Sequence, residues 1–243
     1  MSKELDFTAA WNDGMALLKA HREAAIAIAG VFIFLPQLIF TYFYPQPAFE
    51  GSDINTMIEQ LKVYQDKTFV WSLLTLVLSL FGVLAINFLS INRAEPAAGE
   101  AIILGTKHYL TMLAAIILLG IATAVGSIFL IVPGIYVFIK FSQVTAVIAA
   151  ENQINPIEVM SRSWQITKGN SLRIFAFILI VEIVSVIAVL IFNMALGGGA
   201  RLILPDSAGL FAVAFVTAFS GTVSTLIIIF VDMGIYRQLT ASD

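Results

Sequence analysis

Apolar residues gather along this chain in runs close to twenty long, each closed by charges, prolines or glycines. A bilayer's hydrocarbon core of about 30 Å takes about 20 apolar residues of helix, and the chain meets that length six times. The expected spans are residues 24–44, ended by Pro45-Gln46-Pro47, then 68–91, 109–130, 133–150, 172–196 and 210–236. The third and fourth belong to one stretch, 109–150, which as a single helix would be about 60 Å long at 1.5 Å per residue. It has to fold back. Pro133-Gly134 is the available helix-hairpin break, because proline cannot continue a helix interior and glycine tolerates the reversal.

Three less apolar segments, 7–19, 96–107 and 156–168, share a design. In the first, Phe7, Trp11, Met15 and Leu18 recur at helical spacing, with Asn12, Asp13 and Lys19 mostly elsewhere. That is the pattern of an amphipathic helix at an interface. In the third, Asn155 can cap, Pro156 suits the first helical position and Glu158 stands where a capping-box carboxylate reaches back. Ile157, Met160 and Trp164 then line one side, Arg162 lies off it, and Lys168-Gly169-Asn170 ends the helix. The middle segment is a weaker copy. The chain reads as an all-α membrane protein of six transmembrane helices in three hairpins, each preceded by an amphipathic interfacial helix, within a single integral membrane domain, 1–243.

Composition agrees with the pattern. Of 243 residues, 59% are hydrophobic and only 12% charged, against roughly a quarter charged in soluble domains, and mean hydropathy is +0.94. The net charge of −3 matters less than where the charges lie. Lys3, Lys19, Arg22, Arg93, Lys107, Arg162, Lys168, Arg173 and Arg237 fall on the side shared by both termini; Lys62, Lys67 and Arg201 fall on the other. The positive-inside bias therefore predicts cytoplasmic termini and cytoplasmic interfacial helices. Residues 1–23 lack the basic start and short apolar core of a cleavable signal, so insertion through the chain's own helices is expected.

Candidate chemistry is sparse. The absence of cysteine excludes disulfides, thiolate catalysis and cysteine-ligated metals. His21 and His108 have no second histidine nearby, Gly197-Gly198-Gly199 lacks the lysine of a phosphate loop and reads as a flexible turn, and no nucleophile, base and ligand cluster can be assembled. No catalytic residue, metal or cofactor is expected, and nucleic acid is not an expected partner. Trp11, Trp164, Arg162 and Lys168 read as interfacial anchors. Gln37, Asn87, Gln143 and Asn193 are candidate interhelical hydrogen-bonding groups. Asp232 stands near the cytoplasmic end of the last span. Lys140 and Glu182 are the ionisable residues nearest mid-membrane, at similar depths of about 16 and about 14 Å of helix, and are expected to form an intramembrane charge pair that fixes register or, alternatively, serves transport.

The run Val132-Pro133-Gly134-Ile135-Tyr136, Lys140-Phe141-Ser142, Ala150-Glu151, Asn155-Pro156-Ile157-Glu158 and Ser161 through Asn170 resembles a known membrane region. That region is the six-helix one fused to some glycerophosphodiester phosphodiesterases, which also stands alone in the YciC-like inner-membrane proteins. The resemblance is sharpest over 132–178. It implies a bacterial multi-pass inner-membrane protein, and it leaves the phosphodiesterase activity with the separate soluble domain of the fused relatives. The expected function is an envelope or membrane-homeostasis component acting through membrane lipids or other membrane proteins, including a homo-oligomer. The alternative is a transporter or channel for a small solute or lipid headgroup using Lys140 and Glu182.

Overall fold

A computed structural model gives the fold and describes residues 4–47, 53–129 and 131–241. Among them are six helices long and apolar enough to cross a membrane: Phe7–Phe43, Ile54–Ile91, Ala98–Ile128, Ile131–Glu151, Ser171–Ile203 and Asp206–Thr240. The described residues contain no strand. The protein is an all-α, multi-pass membrane protein, as the run lengths predict. Leu130, the expected end of the third span, lies outside the described residues, as do positions 48–52.

The spans are longer than expected because a helix does not stop where charge begins. Helix α1 (Phe7–Ala29) carries the first expected interfacial segment straight into the first span. It continues through a π-helical turn, Gly30–Phe34, into α2 (Leu35–Phe43). The π turn has a local cause. Pro36 has no N–H to give the Phe32 carbonyl, and the register slips so that Leu35 N–H reaches the Gly30 carbonyl, five residues back. Helix α3 is Ile54–Ile91, and α4 (Ala98–Phe129) likewise absorbs the second expected interfacial segment. Of the three expected interfacial helices, only α7 (Pro156–Ile166) stands apart from its span.

The chain divides into two compact units, Met1–Ile28 with Val83–Ser185 and Thr225–Asp243, and Ala29–Gly82 with Val186–Ser224. In the first, α1 crosses α10 (Asp206–Thr240) at two glycines. A Cβ on Gly14 would sit 2.9 Å from the Phe230 carbonyl carbon, and one on Gly234 would sit 2.9 Å from Gly14 N and 3.0 Å from the Ala10 carbonyl carbon. The buried face of α1 is thus Ala10, Gly14 and Leu17, while Trp11 stays 39% exposed. Close backbone approach wants small residues at the seam, which displaces the larger stripe of Phe7, Trp11, Met15 and Leu18 to one side. Phe7 stacks on Phe177 at 4.9 Å, beside a core of Leu5, Ile139, Ile174, Val181, Val231 and Ile235.

The expected break at Pro133-Gly134 is corrected by the structure. Helix α4 ends at Phe129, and Pro133 and Gly134 both lie inside α5 (Ile131–Lys140). Pro133 sits in the first turn, where its missing N–H has no intrahelical partner to lose. Gly134 is buried against α4, where a Cβ would come within 3.2 Å of Ser127 Cα. The glycine serves helix contact and not the turn.

Lys140 ends α5, residues 141–143 form a turn, and α6 (Val144–Glu151) resumes. No proline or glycine explains this break. The Lys140 carbonyl instead accepts the Ser163 and Thr167 hydroxyls of the α7 segment, at 2.9 and 3.3 Å, so inserted side chains open the backbone ladder. Helix α7 begins as its sequence predicts, with Asn155 accepting from Ile157 N–H and Pro156 in the first turn. Glu158 bonds to the Asn155 side chain at 2.9 Å. The buried face of α7 is Val159, Ser163 and Ile166, rather than the expected Ile157, Met160 and Trp164.

In the second unit, Phe32 meets Phe81 at 4.8 Å. Helix α8 (Ser171–Phe192) runs through a second π-helical turn, Asn193–Gly198, into α9 (Gly199–Ile203). Gly197-Gly198-Gly199 is therefore helical, not a loop, and the chain turns at Leu204-Pro205. Asn193 donates to the Val189 carbonyl (2.8 Å) and to Ser220 Oγ (3.1 Å), and accepts from Thr217 Oγ1 (2.6 Å). The side chain competes for a ladder carbonyl at the point where the helix widens.

Candidate functional site

The polar groups of the first unit converge where three spans end. Beyond the apolar run of α3 comes Asn92, whose amide donates to the Ala149 carbonyl (2.6 Å) and to Asn152 Oδ1 (3.1 Å) and accepts from Ala94 N–H (2.9 Å). Asn152 is left-handed, with φ 51°, the conformation that stops α6 and exposes its last carbonyls. The loop after α3 thus caps the end of α6 with a side chain. Thr111 adds a second tie by donating to the Ile154 carbonyl at 2.8 Å.

This junction walls a cavity of about 1010 Å³. Ala16, Leu17, Ala20 and His21 of α1 form one side, and Ser90 to Glu95 the next. The end of α6 (Glu151, Asn152), Arg162 of α7, and Tyr236, Arg237 and Thr240 of α10 complete it. Glu151 Oε1 accepts from Arg162 Nε and from the Tyr236 hydroxyl, each at 2.9 Å, so its charge is matched by the guanidinium. Arg93 and Arg237 are exposed to the cavity mouth and belong to no ion pair among the described residues. Ser90 is only 7% exposed, and its Oγ has no hydrogen-bond partner among the described residues. The guanidinium groups of Arg93 and Arg237 lining one space make a donor-rich pocket for an anion.

The residues singled out from the sequence fall in several places. Arg162 lies in this cavity. Lys140 and Glu182 are not joined: none of the ion pairs among the described residues links them. Lys140, 2% exposed, lays its ammonium over the Trp164 and Tyr136 rings, 5.3 and 5.6 Å from their centroids, a cation–π arrangement. The break after Lys140 turns its side chain toward α7, which depth along an unbroken helix does not reveal. Glu182, half-buried on α8, is within electrostatic reach of Asp232 on α10. Trp164, 37% exposed, packs on Phe141 as well as Lys140, while Lys168 is exposed in the turn after α7. His108 is buried, donating to the Leu104 carbonyl (2.9 Å) beside the Phe88 ring. Among the described residues no group of three His, Asp or Glu is arranged to hold a metal ion.

In the sequence Arg93 and Arg237 mark topology, and His21 has no histidine near it. The signal for the cavity was present in their depth: Arg93, Glu151 and Arg237 each stand at the same end of an apolar run. Compared with protein-family models, curated proteins and solved structures, the chain matches none.

Proposed function

We propose that this multi-pass protein belongs to the bacterial cytoplasmic membrane, with both termini in the cytoplasm, and maintains the membrane by binding lipid rather than by catalysis. The YciC-like resemblance and the basic residues gathered at one set of span ends support the location. One observation carries the function: a large polar cavity stands where α3, α6 and α10 leave their apolar runs, the depth of lipid headgroups, and carries two arginines, Arg93 and Arg237, in no ion pair among the described residues. Basic groups at that depth attract anionic lipid by about 1 kcal/mol each. Transport through Lys140 and Glu182 ranks second, because Lys140 is engaged by two aromatic rings and not by the carboxylate.

The test is lipid dependence. Protein extracted in a mild neutral detergent should retain phospholipid, lose thermal stability when stripped of it, and recover when phospholipid returns. A melting curve indifferent to stripping and replenishment refutes the reading. Reporter fusions at Asp243 and at Gln46 check the orientation independently, the first expected inside and the second outside.

A further inference from the structure

We infer that the cavity between Ser90, Arg93 and Arg237 binds the phosphate of an anionic phosphate ester, which deepens the lipid-binding reading and rests on it. The charge arrangement selects the ligand's sign. Glu151 is bonded by Arg162 and Tyr236, so this pair contributes a neutral wall. Arg93 and Arg237 face the space with donors in no ion pair among the described residues, against Glu95 alone on the adjoining rim. A cation would meet two guanidinium groups in no ion pair among the described residues, against the single such carboxylate of Glu95.

The donor chemistry selects phosphate among anions. A guanidinium fork matches two phosphate oxygens at once, and two forks offer more donors than one carboxylate is suited to accept. The cavity, about 1010 Å³, lies at the upper end of small-molecule pockets of about 300–1,000 Å³, so it takes more than inorganic phosphate. A glycerol phosphate head fits, whether it arrives on a lipid or as a soluble ester.

The experiment uses the full chain in neutral detergent, with bound molecules counted by native mass spectrometry. The lipid probes are phosphatidylglycerol and dioleoylglycerol, which lacks phosphate; the soluble probe is glycerol 3-phosphate. Phosphatidylglycerol should bind at least about tenfold more tightly than dioleoylglycerol, because each charge-assisted contact is worth about that factor or more. Arg93→Gln with Arg237→Gln should erase that preference, and Arg22→Gln, outside the cavity, should leave it intact. Arg93→Lys, which keeps the charge and loses the fork, should fall between and serves if the double variant fails to fold. Glycerol 3-phosphate displacing the lipid at equal concentration assigns the site to a soluble ester, and the phosphate assignment stands while the lipid reading falls. Phospholipid retained equally by wild type and the double arginine variant overturns this site and leaves the lipid reading standing. Equal binding of phosphatidylglycerol and dioleoylglycerol overturns the phosphate assignment.

Discussion

The crossing of α1 and α10 allows one substitution to be worked through. In Gly234→Ala the new methyl would stand 2.9 Å from Gly14 N and 3.0 Å from the Ala10 carbonyl carbon, and closer still to the Ala10 oxygen. Non-bonded carbon atoms rest about 3.5–4.0 Å apart, so the helices must separate by roughly half an ångström to one ångström. A gap of that size forfeits about a quarter to a half of each contact across the seam, which includes buried Ala10, Val231 and Ile235. Over-packing costs about 1–3 kcal/mol, and the upper end applies because the obstructing atoms are backbone and cannot rotate away. Replacing glycine with alanine within a helix returns about 1 kcal/mol, leaving a net loss of about 2 kcal/mol. For a chain of this size that is a fall of about 4–8 °C in Tm. Gly120→Ala is the control: nothing lies within 4 Å of its Cβ position in α4, so the same chemical change should raise Tm by about 2–4 °C. Gly14→Ala should resemble Gly234→Ala, and the two together should cost less than their sum, since helices already parted admit the second methyl more easily. The assay is thermal unfolding of the purified protein in detergent, followed by tryptophan fluorescence. Were Gly234→Ala as stable as Gly120→Ala, the close crossing would be refuted.

Three further predictions concern other parts of the fold. Double-mutant cycles in detergent should give Lys140→Met with Glu182→Gln a coupling within about 0.5 kcal/mol of zero, and Lys140→Met with Trp164→Leu one near 1 kcal/mol; a coupling above 1 kcal/mol for the first pair would restore the ion pair. Ser163→Ala with Thr167→Val should destabilise by about 1–3 kcal/mol, because the Lys140 carbonyl loses both hydroxyl donors while buried, and unchanged denaturant midpoints would show the break after Lys140 to be held otherwise. The Asp53 carboxyl, which accepts from Thr56 N–H at 2.9 Å, is held by that bond below its ordinary 3.8; its support of the α3 start is complete above 3.8 and fades as pH falls through the lower folded value. Carboxyl carbon NMR should show this depressed titration, Asp53→Asn should keep the cap without its pH dependence, and a midpoint at or above 3.8 contradicts the cap.

Run length against bilayer thickness found the six spans because that signal is a sum over many residues and tolerates local error. Boundaries needed finer information. Residues 19–23 contain charges but no glycine, proline or left-handed asparagine, so nothing stops α1 between its amphipathic and apolar parts. Pro133-Gly134 is the strongest breaker within 109–150, yet Pro133 is tolerated in a first turn and Gly134 is used for packing. The interruption at 141–143 had no local mark at all. It depends on hydroxyls more than twenty residues downstream, at Ser163 and Thr167, and such a cause is invisible to any window shorter than that separation. The same holds for the cavity, whose arginines at 93, 162 and 237 meet only after folding. Large side chains also misled the eye on α1 and α7. In both helices the buried stripe is built from smaller residues, which let backbones approach.

The interruption after Lys140 and the cavity are linked through α7. Ser163 and Thr167 hold the open carbonyl on one face of that segment, while Arg162, one residue away, bonds Glu151 at the end of α6. A straight helix through 141–143 would rotate α6 about its own axis and swing Glu151 and Asn152 out of register with Asn92 and Tyr236. Keeping the turn therefore keeps the cavity wall, and α7 contributes to both with adjacent residues. Lys140 gains a place for its ammonium in the same arrangement, because the turn directs it to the rings of Tyr136 and Trp164. A charge near mid-membrane thus follows here from the geometry that builds the anion pocket. If Ser163→Ala with Thr167→Val weakens phosphatidylglycerol binding as well as stability, with neither residue lining the cavity, the two features are one device; binding left at wild-type strength in the folded variant separates them.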